Sequence, residues 1–278
     1  MKKISRRSFM AAAAVSVAAL ALTACGGSAS SAASSVASSA ASSEAVSSAA
    51  AAELTTVEAG KLTMATNATF PPYEMTTDSG EFEGIDIDTA KAIAEKLGLE
   101  LQIDDMDFDA ALLSVQQGKA DIVMAGVTVT DERKAVMDFS DSYATGIQSI
   151  IVPEGSDIAS PDDLAGKKIG TQRGTTGYIY CSDDFGEDSV VAYDSGLTAV
   201  QALNNGQVDA VVIDNAPATE YVAANPGLKV LDTSYAEEDY AIGMAKGSAL
   251  EDAVNKALEE LKADGTLQAI VDKYINAN

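Results

Sequence analysis

The sequence predicts an α/β protein of two lobes, because one structural unit occurs twice along the chain. Residues 116–126 and residues 204–214 share a pattern: the end of a helix, a glycine, two further residues, an aspartate and a buried strand. A supersecondary unit that repeats in this way predicts two lobes of similar construction. Ligands of open α/β sheets bind at the carboxyl ends of the strands. The pattern therefore places Gly126 and Asp214 at two edges that face each other across a cleft.

The first lobe is predicted from strands and helices between residues 61 and 133. Leu62 and Met64 alternate with other residues as in a strand, and two prolines stiffen the aromatic loop at 70–74. Glycines that follow apolar periodic segments end the helices. The predicted elements are strand 61–66, a helix that ends at Gly98, strand 99–103, helix 110–117, strand 121–126 and a short helix that begins at Thr130 and carries Arg133.

Similar elements continue through the second lobe, after which the chain returns to the first. A serine, a proline and two acidic residues at 160–163 have the pattern of a capping box at the start of a helical turn. The C-terminal segments carry apolar residues on one helical face. The predicted elements are strand 147–152, the turn at 160–163, strand 168–171, helix 198–205, strand 208–213, a strand at 240–244 that returns to the first lobe, helix 248–263 and a final helix.

The N-terminal 52 residues are expected to take no part in the fold. A basic start and an alanine-rich apolar segment predict a signal peptide over residues 1–24. The sequence LTAC at 22–25 resembles the lipobox of bacterial lipoproteins, so we expect Cys25 to be lipidated. The adjacent Arg6 and Arg7 leave open whether export uses the general or the twin-arginine route. Serine and alanine dominate the rest of 25–52, which predicts a flexible tether.

The composition argues against several classes of function. The chain has 18 Lys and Arg against 42 Asp and Glu, a formal net charge of −24, which argues against a nucleic-acid partner. It contains no histidine, the commonest general base and transition-metal ligand. Cys181 is the only cysteine in the predicted folded part, so no disulfide is expected there. We therefore predict neither an enzyme nor a metal or cofactor site.

Residues 124–140 carry the chemistry that points most directly to a function. An apolar strand ends at Gly126 and leads into a short helix, so that backbone N–H groups can face a ligand. Arg133 adds a guanidinium, which can pair bidentately with a carboxylate. This combination predicts a site for a small carboxylate. The alternative is a surface arginine paired with Asp131 or Asp138, an arrangement that contributes little energy.

Several short motifs occur in a fixed order over residues 60–276. They are TNATFPPYE at 66–74, GIDID at 84–88, MDF at 106–108, AGVTVTDER at 125–133, GTTG at 174–177 and DGTL at 264–267. Together they resemble the extracellular solute-binding proteins that supply polar amino acids to ABC importers. The resemblance implies a two-lobed periplasmic-binding-protein-like (type II) clamshell with two hinge strands, near 145–152 and 236–244.

The same resemblance implies how the protein is organised and where it acts. It implies one lobe of residues 55–145 and 240–278, and a second lobe of residues 146–236. The implied partners are an amino-acid ligand, an ABC transporter permease and, through the lipid anchor, the membrane. We expect a monomer on the outer face of the bacterial cell membrane, with no cofactor.

The resemblance also assigns roles in holding the ligand's α-groups. Arg133 would pair with the α-carboxylate, together with backbone N–H groups of Thr128 and Thr176. Asp214, from the other lobe, would pair with the α-ammonium, together with the Gly126 carbonyl and the Thr128 hydroxyl. A zwitterion requires one fixed cation and one fixed anion, and apolar walls strengthen both pairings.

The ligand's side chain is specified less narrowly. Phe70 and Phe108 are expected to enclose it, while Asn67, Glu74 and Gln172 lie where relatives recognise its polar end. Asparagine at 67 argues against a cationic side chain and Glu74 argues for one, so we expect a polar L-amino acid, uncharged or cationic. The predicted ligand-binding set is Asn67, Phe70, Glu74, Phe108, Ala125, Gly126, Thr128, Arg133, Gln172, Thr175, Thr176 and Asp214.

Three other functions remain open from the sequence. A dehydratase-like enzyme on the same scaffold would need a general acid or base in the cleft, for which Glu74 is the candidate. A ligand-sensing module would need a separate membrane receptor, because no segment after Asn278 is expected to carry a signal inward. A surface adhesin that has lost its ligand would have no need of Arg133 and Asp214.

Overall fold

The described part of the molecule extends from residue 54 to residue 275, in a computed structural model. The predicted signal peptide, Cys25 and the tether over 25–52 lie outside this range, and so do residues 276–278. Over the described residues, no helix is both long enough and apolar enough to cross a membrane.

Strands and helices alternate through most of the described chain, as the sequence predicts. The helices are α1 Ile85–Leu97, α2 Phe108–Gln116, α3 Asp131–Val136, α4 Thr176–Phe185, α5 Gly196–Asn204, α6 Asn215–Ala224, α7 Glu251–Ala263 and α8 Thr266–Tyr274. The strands are β1 Lys61–Thr66, β2 Thr69–Phe70, β3 Glu74–Thr76, β4 Phe82–Glu83, β5 Glu100–Asp105, β6 Ile122–Val123, β7 Met137–Phe139, β8 Ala144–Pro153, β9 Ile169–Gln172, β10 Val190–Tyr193, β11 Ala210–Asp214, β12 Leu228–Val230, β13 Ala236–Tyr240 and β14 Gly243–Ala245.

Two large sheets divide the molecule into two lobes. The first lobe contains the sheet β5-β1-β6-β14-β7, in which β1 runs parallel to β5 and β6. The second lobe contains the sheet β10-β9-β11-β8-β12, in which β9 runs parallel to β10 and β11. A smaller sheet, β2-β3-β4, belongs to the first lobe. The parallel strands of each sheet bring their carboxyl ends to one edge, where ligands of such sheets bind.

The chain passes between the lobes twice, and the two passages lie side by side. β13 pairs antiparallel with β8, from Ala236 opposite Gln148 to Tyr240 opposite Ala144. Beyond Tyr240 the chain re-enters the first lobe as β14. The sequence predicted one strand over 240–244, whereas the structure has two, because β13 pairs with a strand of the second sheet and β14 with strands of the first.

The repeated unit recognised in the sequence has the same geometry in both lobes. Gly118 follows α2 with φ 66°, and Gly206 follows α5 with φ 67°. These are left-handed values that glycine adopts without steric cost. Asp121 and Asp209 each accept a backbone N–H at 2.8 Å, from within β1 and from the residue before β9 respectively. The repeat therefore places the ends of β6 and β11 at corresponding positions.

Some boundaries differ from the predicted ones for local reasons. β6 covers only Ile122–Val123 rather than 121–126. The chain leaves the sheet because it turns at Gly126, which has φ 56° and donates its N–H to a side chain. The aromatic loop at 70–74 is a hairpin in which Phe70 pairs with Glu74. α2 begins at Phe108, two residues earlier than predicted.

We predict that Gly84→Ala destabilises the first lobe strongly. Gly84 has φ 132° and ψ 174°, and an added Cβ would lie 2.1 Å from the Tyr73 carbonyl oxygen. The backbone strain alone is worth about 1–3 kcal/mol, and the collision adds to it. Urea unfolding of the purified protein measures the loss.

The matched control for this substitution is Gly118→Ala. Gly118 also has a positive φ, but beyond its chain neighbours no described residue lies within 4 Å of the position that an added Cβ would occupy. Only the left-handed conformation is then penalised, at about 1–2 kcal/mol. Equal losses in the two variants would contradict the importance of the close approach at Gly84.

Candidate ligand-binding site

A small cavity lies in the cleft between the two lobes. Within residues 54–275 no group of three or more acidic or cysteine side chains is arranged to hold a metal ion. Every residue of the predicted ligand-binding set lines the cavity: Asn67, Phe70, Glu74, Phe108, Ala125, Gly126, Thr128, Arg133, Gln172, Thr175, Thr176 and Asp214.

Arg133 is a buried cation with no carboxylate partner among the described residues. Its Nη1 donates to the Thr128 carbonyl at 2.7 Å, and its Nη2 donates to the Gly174 carbonyl at 3.1 Å. The residue is 8% exposed, and no carboxylate between residues 54 and 275 lies within ion-pair distance of it. The alternative of a surface ion pair is therefore wrong, and Asp138 instead pairs with Lys246 at 2.6 Å.

Local structure holds the guanidinium in place. The Thr130 side chain caps α3 by accepting the Arg133 backbone N–H at 3.2 Å. The guanidinium carbon lies 5.4 Å from the centre of the Phe108 ring, within the range of a cation–π contact. Burial lowers the pKa of Arg133, but a guanidinium stays charged in proteins. The site therefore presents one fixed positive charge to whatever occupies the cavity.

Asp214 presents a carboxyl group from the second lobe. It is the residue at which β11 ends and α6 begins. Gln148 Nε2 donates to its Oδ2 at 2.8 Å, and the Tyr240 hydroxyl donates to its Oδ1. Burial raises the pKa of Asp214 to about 7, since a buried carboxylate without a counter-charge is disfavoured. A ligand cation beside Asp214 would supply that counter-charge.

Glu238 joins the site from β13, and the sequence alone did not predict it. Its Oε2 accepts the Thr128 hydroxyl at 3.1 Å, the Thr176 hydroxyl at 3.0 Å and Gln148 Nε2 at 3.0 Å. Thr128 belongs to the first lobe and Thr176 to the second, so one carboxylate links both. A hydroxyl that donates its only proton to Glu238 remains an acceptor on the cavity side. Thr128 can therefore accept from a ligand ammonium.

Other hydrogen bonds cross the cleft directly. Gln172 Nε2 donates to Asn67 Oδ1 at 2.9 Å, and the Tyr221 hydroxyl donates to the Thr69 carbonyl. The bond from Arg133 to Gly174 also joins the two lobes. The lobes therefore touch on several sides of the cavity, which is a closed arrangement of the cleft.

Backbone groups complete the α-group end of the cavity. Gly126 donates its N–H to Asp86 at 3.0 Å, so only its carbonyl remains as a backbone group for a ligand. Ala125 lines the cavity beside it. Thr175 caps α4 by accepting the Tyr178 N–H, and Thr176 is the first residue of that helix. The N–H of a first helical residue has no acceptor within the helix, so it is available to an anion.

Glu74 lies on another wall of the cavity and is buried more deeply than Asp214. It is 0% exposed, against 8% for Asp214. No donor of the described residues reaches either of its carboxyl oxygens. Burial raises the pKa of Glu74 well above its usual range. An acidic group that lines a ligand cavity without a partner is a candidate for contact with the ligand.

The similarity to known proteins covers nearly all of the described chain. Residues 62–277 match the bacterial extracellular solute-binding proteins, family 3. The chain belongs to this family. The protein is also 34% identical over 272 residues to a probable histidine-binding protein of Neisseria gonorrhoeae, in a match that covers 95% of this chain and 94% of that relative.

Solved structures of similar proteins share the two-lobed fold. The arginine-, lysine-, histidine-binding protein ArtJ of Geobacillus stearothermophilus is 34% identical with a TM-score of 0.75, over 78% of this chain and 96% of ArtJ. An ancestral arginine-binding protein bound to arginine is 45% identical with a TM-score of 0.74, over 78% of this chain and 99% of that one. The predicted two-lobed clamshell fold is thereby confirmed.

We predict that Asp214→Asn reduces the dependence of stability on pH. The Asp214 pKa is about 7 in the folded protein and about 3.9 in an unfolded chain. Between these values the folded state binds more protons, so this residue lowers stability as pH rises from about 4 to 7. Without added ligand, the variant should gain melting temperature relative to the unaltered protein as pH rises through this window.

Asp183→Asn is the matched control, because Asp183 is exposed on α4. It should leave the pH dependence of the melting temperature as it is. If Asp214→Asn and Asp183→Asn have the same pH profile, Asp214 does not carry a raised pKa in the folded protein.

Proposed function

We propose that this protein captures a polar L-amino acid between its lobes and delivers it to an ABC importer. The observation that carries the proposal is the buried guanidinium of Arg133, which has no carboxylate partner among the described residues. An isolated buried charge costs several kcal/mol. The α-carboxylate of an amino acid would neutralise this charge and could accept two parallel hydrogen bonds from a guanidinium.

The second α-group is accounted for by Asp214 and its surroundings. An α-ammonium has three donors, and the cavity offers it the Asp214 carboxylate, the Gly126 carbonyl and the Thr128 hydroxyl oxygen. Arg133 comes from the first lobe and Asp214 from the second. Only a ligand with both charges satisfies both residues, and this favours the closed cleft when ligand is present.

The proposed ligand has a side chain that ends in a cation. Glu74 is fully buried at the cavity wall and accepts no hydrogen bond from a described donor. Asn67 and Gln172 hydrogen-bond each other across the cleft. Of the three polar residues expected to contact the ligand's side chain, Glu74 is therefore the one still available, and its carboxyl group suits a cation. Arginine is the first candidate, and a solved relative was bound to arginine.

Delivery requires the protein to remain close to its importer. We propose that Cys25, outside the described residues, carries a lipid that anchors the protein on the outer face of the cell membrane. The Ser- and Ala-rich residues after it would act as a tether of roughly 30 Å reach. The protein would act as a monomer whose lobes, residues 55–145 with 240–278 and residues 146–236, close on the ligand.

We predict that Arg133→Gln weakens binding of L-arginine at least about 100-fold, which is about 3 kcal/mol. The glutamine can still donate a hydrogen bond but leaves the ligand carboxylate without a counter-charge. Calorimetric titration measures the dissociation constant, and circular dichroism verifies that the variant is folded.

Arg173→Gln is the matched control. Its side chain is 56% exposed, and its nearest carboxylate is that of Asp194, at 3.6 Å. Exposed ion pairs contribute about 0–1 kcal/mol, so binding should change by no more than a few fold. Similar losses in the two variants would contradict the role proposed for Arg133, and unimpaired binding by Arg133→Gln would refute it.

A further inference from the structure

Two carboxyl groups lie in contact beneath the wall of the cavity. Glu74 is on β3, Asp86 is in the first turn of α1, and both are 0% exposed. The two carboxyl groups are close enough to hydrogen-bond each other if one of them is protonated, and neither Glu74 oxygen nor Asp86 Oδ1 has another partner among the described residues. Two ionised carboxylates are acceptors only, so a hydrogen bond between them requires a proton. The pair therefore carries one proton when nothing else neutralises it.

The hydrogen bonds around the pair indicate which member holds the proton. Asp86 Oδ2 accepts the Gly126 N–H at 3.0 Å and the Tyr143 hydroxyl at 2.8 Å. Hydrogen bonds to a carboxylate stabilise its charged form. Glu74 receives no donor from the described residues at either oxygen. Asp86 is therefore the carboxylate, and Glu74 is the protonated partner.

The charges around Glu74 reinforce this assignment. Burial contributes most to its raised pKa, and the neighbouring carboxyl groups add to it. Phenols that face the pair are neutral at ordinary pH, because burial raises their pKa further. No lysine or arginine acts on Glu74 from the described residues. Apart from the pair itself, the titratable groups that face it are Asp105, Asp214, Tyr73, Tyr143 and Tyr221.

We propose that Glu74 and Asp86 share one proton in the ligand-free protein and that the cationic end of a ligand side chain replaces this proton. The inference rests on the proposed function, because it takes the Glu74 wall of the cavity as the place of the ligand's side chain. With its proton, Glu74 can hydrogen-bond a neutral amide or urea group. Without it, Glu74 pairs with a guanidinium or ammonium.

Asp86 acts in this exchange as a positioning residue. It does not line the cavity, but its charge and its hydrogen bond determine whether Glu74 holds a proton. The GIDID motif that contains Asp86 thereby sets the charge of the side-chain subsite. One cavity can then accept a cationic amino acid with release of a proton, or a neutral one without it.

The test compares L-arginine with L-citrulline, its neutral isostere. Calorimetric titration in two buffers of different ionisation enthalpy counts the protons exchanged on binding. Both ligands carry the same α-groups, and neither side chain titrates near neutral pH. Arginine should release about one proton more than citrulline wherever Glu74 is protonated in the ligand-free protein, so the ratio of their affinities should rise with pH there, by about tenfold per pH unit. Equal proton counts, with a ratio that pH does not change, would overturn the proposal.

Variants assign the effect to the pair. Glu74→Gln should abolish the difference in proton release and weaken arginine about 100-fold while citrulline still binds. Glu81→Gln, on an exposed neighbouring residue, should change neither quantity. Asp86→Asn should move the proton release to lower pH, because the Glu74 pKa falls when its charged neighbour is removed. Persistence of the full difference in Glu74→Gln, or an unmoved pH profile in Asp86→Asn, would overturn the proposal.

A measurement without ligand separates this proposal from the proposed function. Infrared difference spectroscopy between the protein and its Glu74→Gln variant should show the carbonyl band of a protonated carboxyl in the unaltered protein near neutral pH. Absence of that band would overturn the shared proton, even if amino acids bind. If the band is present and no amino acid binds, the proposed function fails while the shared proton stands.

Discussion

The binding site depends on two buried ionisable groups, Arg133 and Asp214, neither of which forms an ion pair with another described residue. Arg133 is held by two backbone carbonyls and an aromatic ring, and Asp214 by an amide and a phenol. These neutral partners fix the position of each group but do not cancel its charge. A buried charge without an ion-pair partner disfavours the closed state when no ligand is present. A zwitterion removes both penalties at once, which couples ligand binding to closure.

The two strands that connect the lobes, β8 and β13, supply hydrogen bonds that position groups of the binding site. Gln148 on β8 and Tyr240 on β13 donate to the two oxygens of Asp214, while Glu238 on β13 accepts hydroxyls from both lobes. Tyr240 also packs against Gly146, where a Cβ would lie 2.4 Å from its ring. The segments about which the lobes would move are therefore also part of the binding site. This arrangement lets a change in lobe orientation alter the hydrogen bonds at the ligand.

Much of this organisation could be predicted from local signals in the sequence. Thr130 caps the helix that carries Arg133, and Gly118 and Gly206 mark the two copies of one unit. Such signals act over a few residues, so a single sequence contains them. Glu238 could not be found in the same way, because it contacts Thr128 from 110 positions away. Within β13, Glu238 resembles the exposed acidic residues beside it, and only the pairing of β13 with β8 turns it inward.

The central claim is that the ligand's α-carboxylate neutralises Arg133. The most direct test is calorimetric titration of the protein, unfolded and refolded to remove carried-over ligand, with L-arginine and with agmatine, which lacks the carboxylate. We expect micromolar or tighter binding of L-arginine, about −8 kcal/mol or better, and agmatine at least about 100-fold weaker. Agmatine that binds as tightly as L-arginine would contradict the claim.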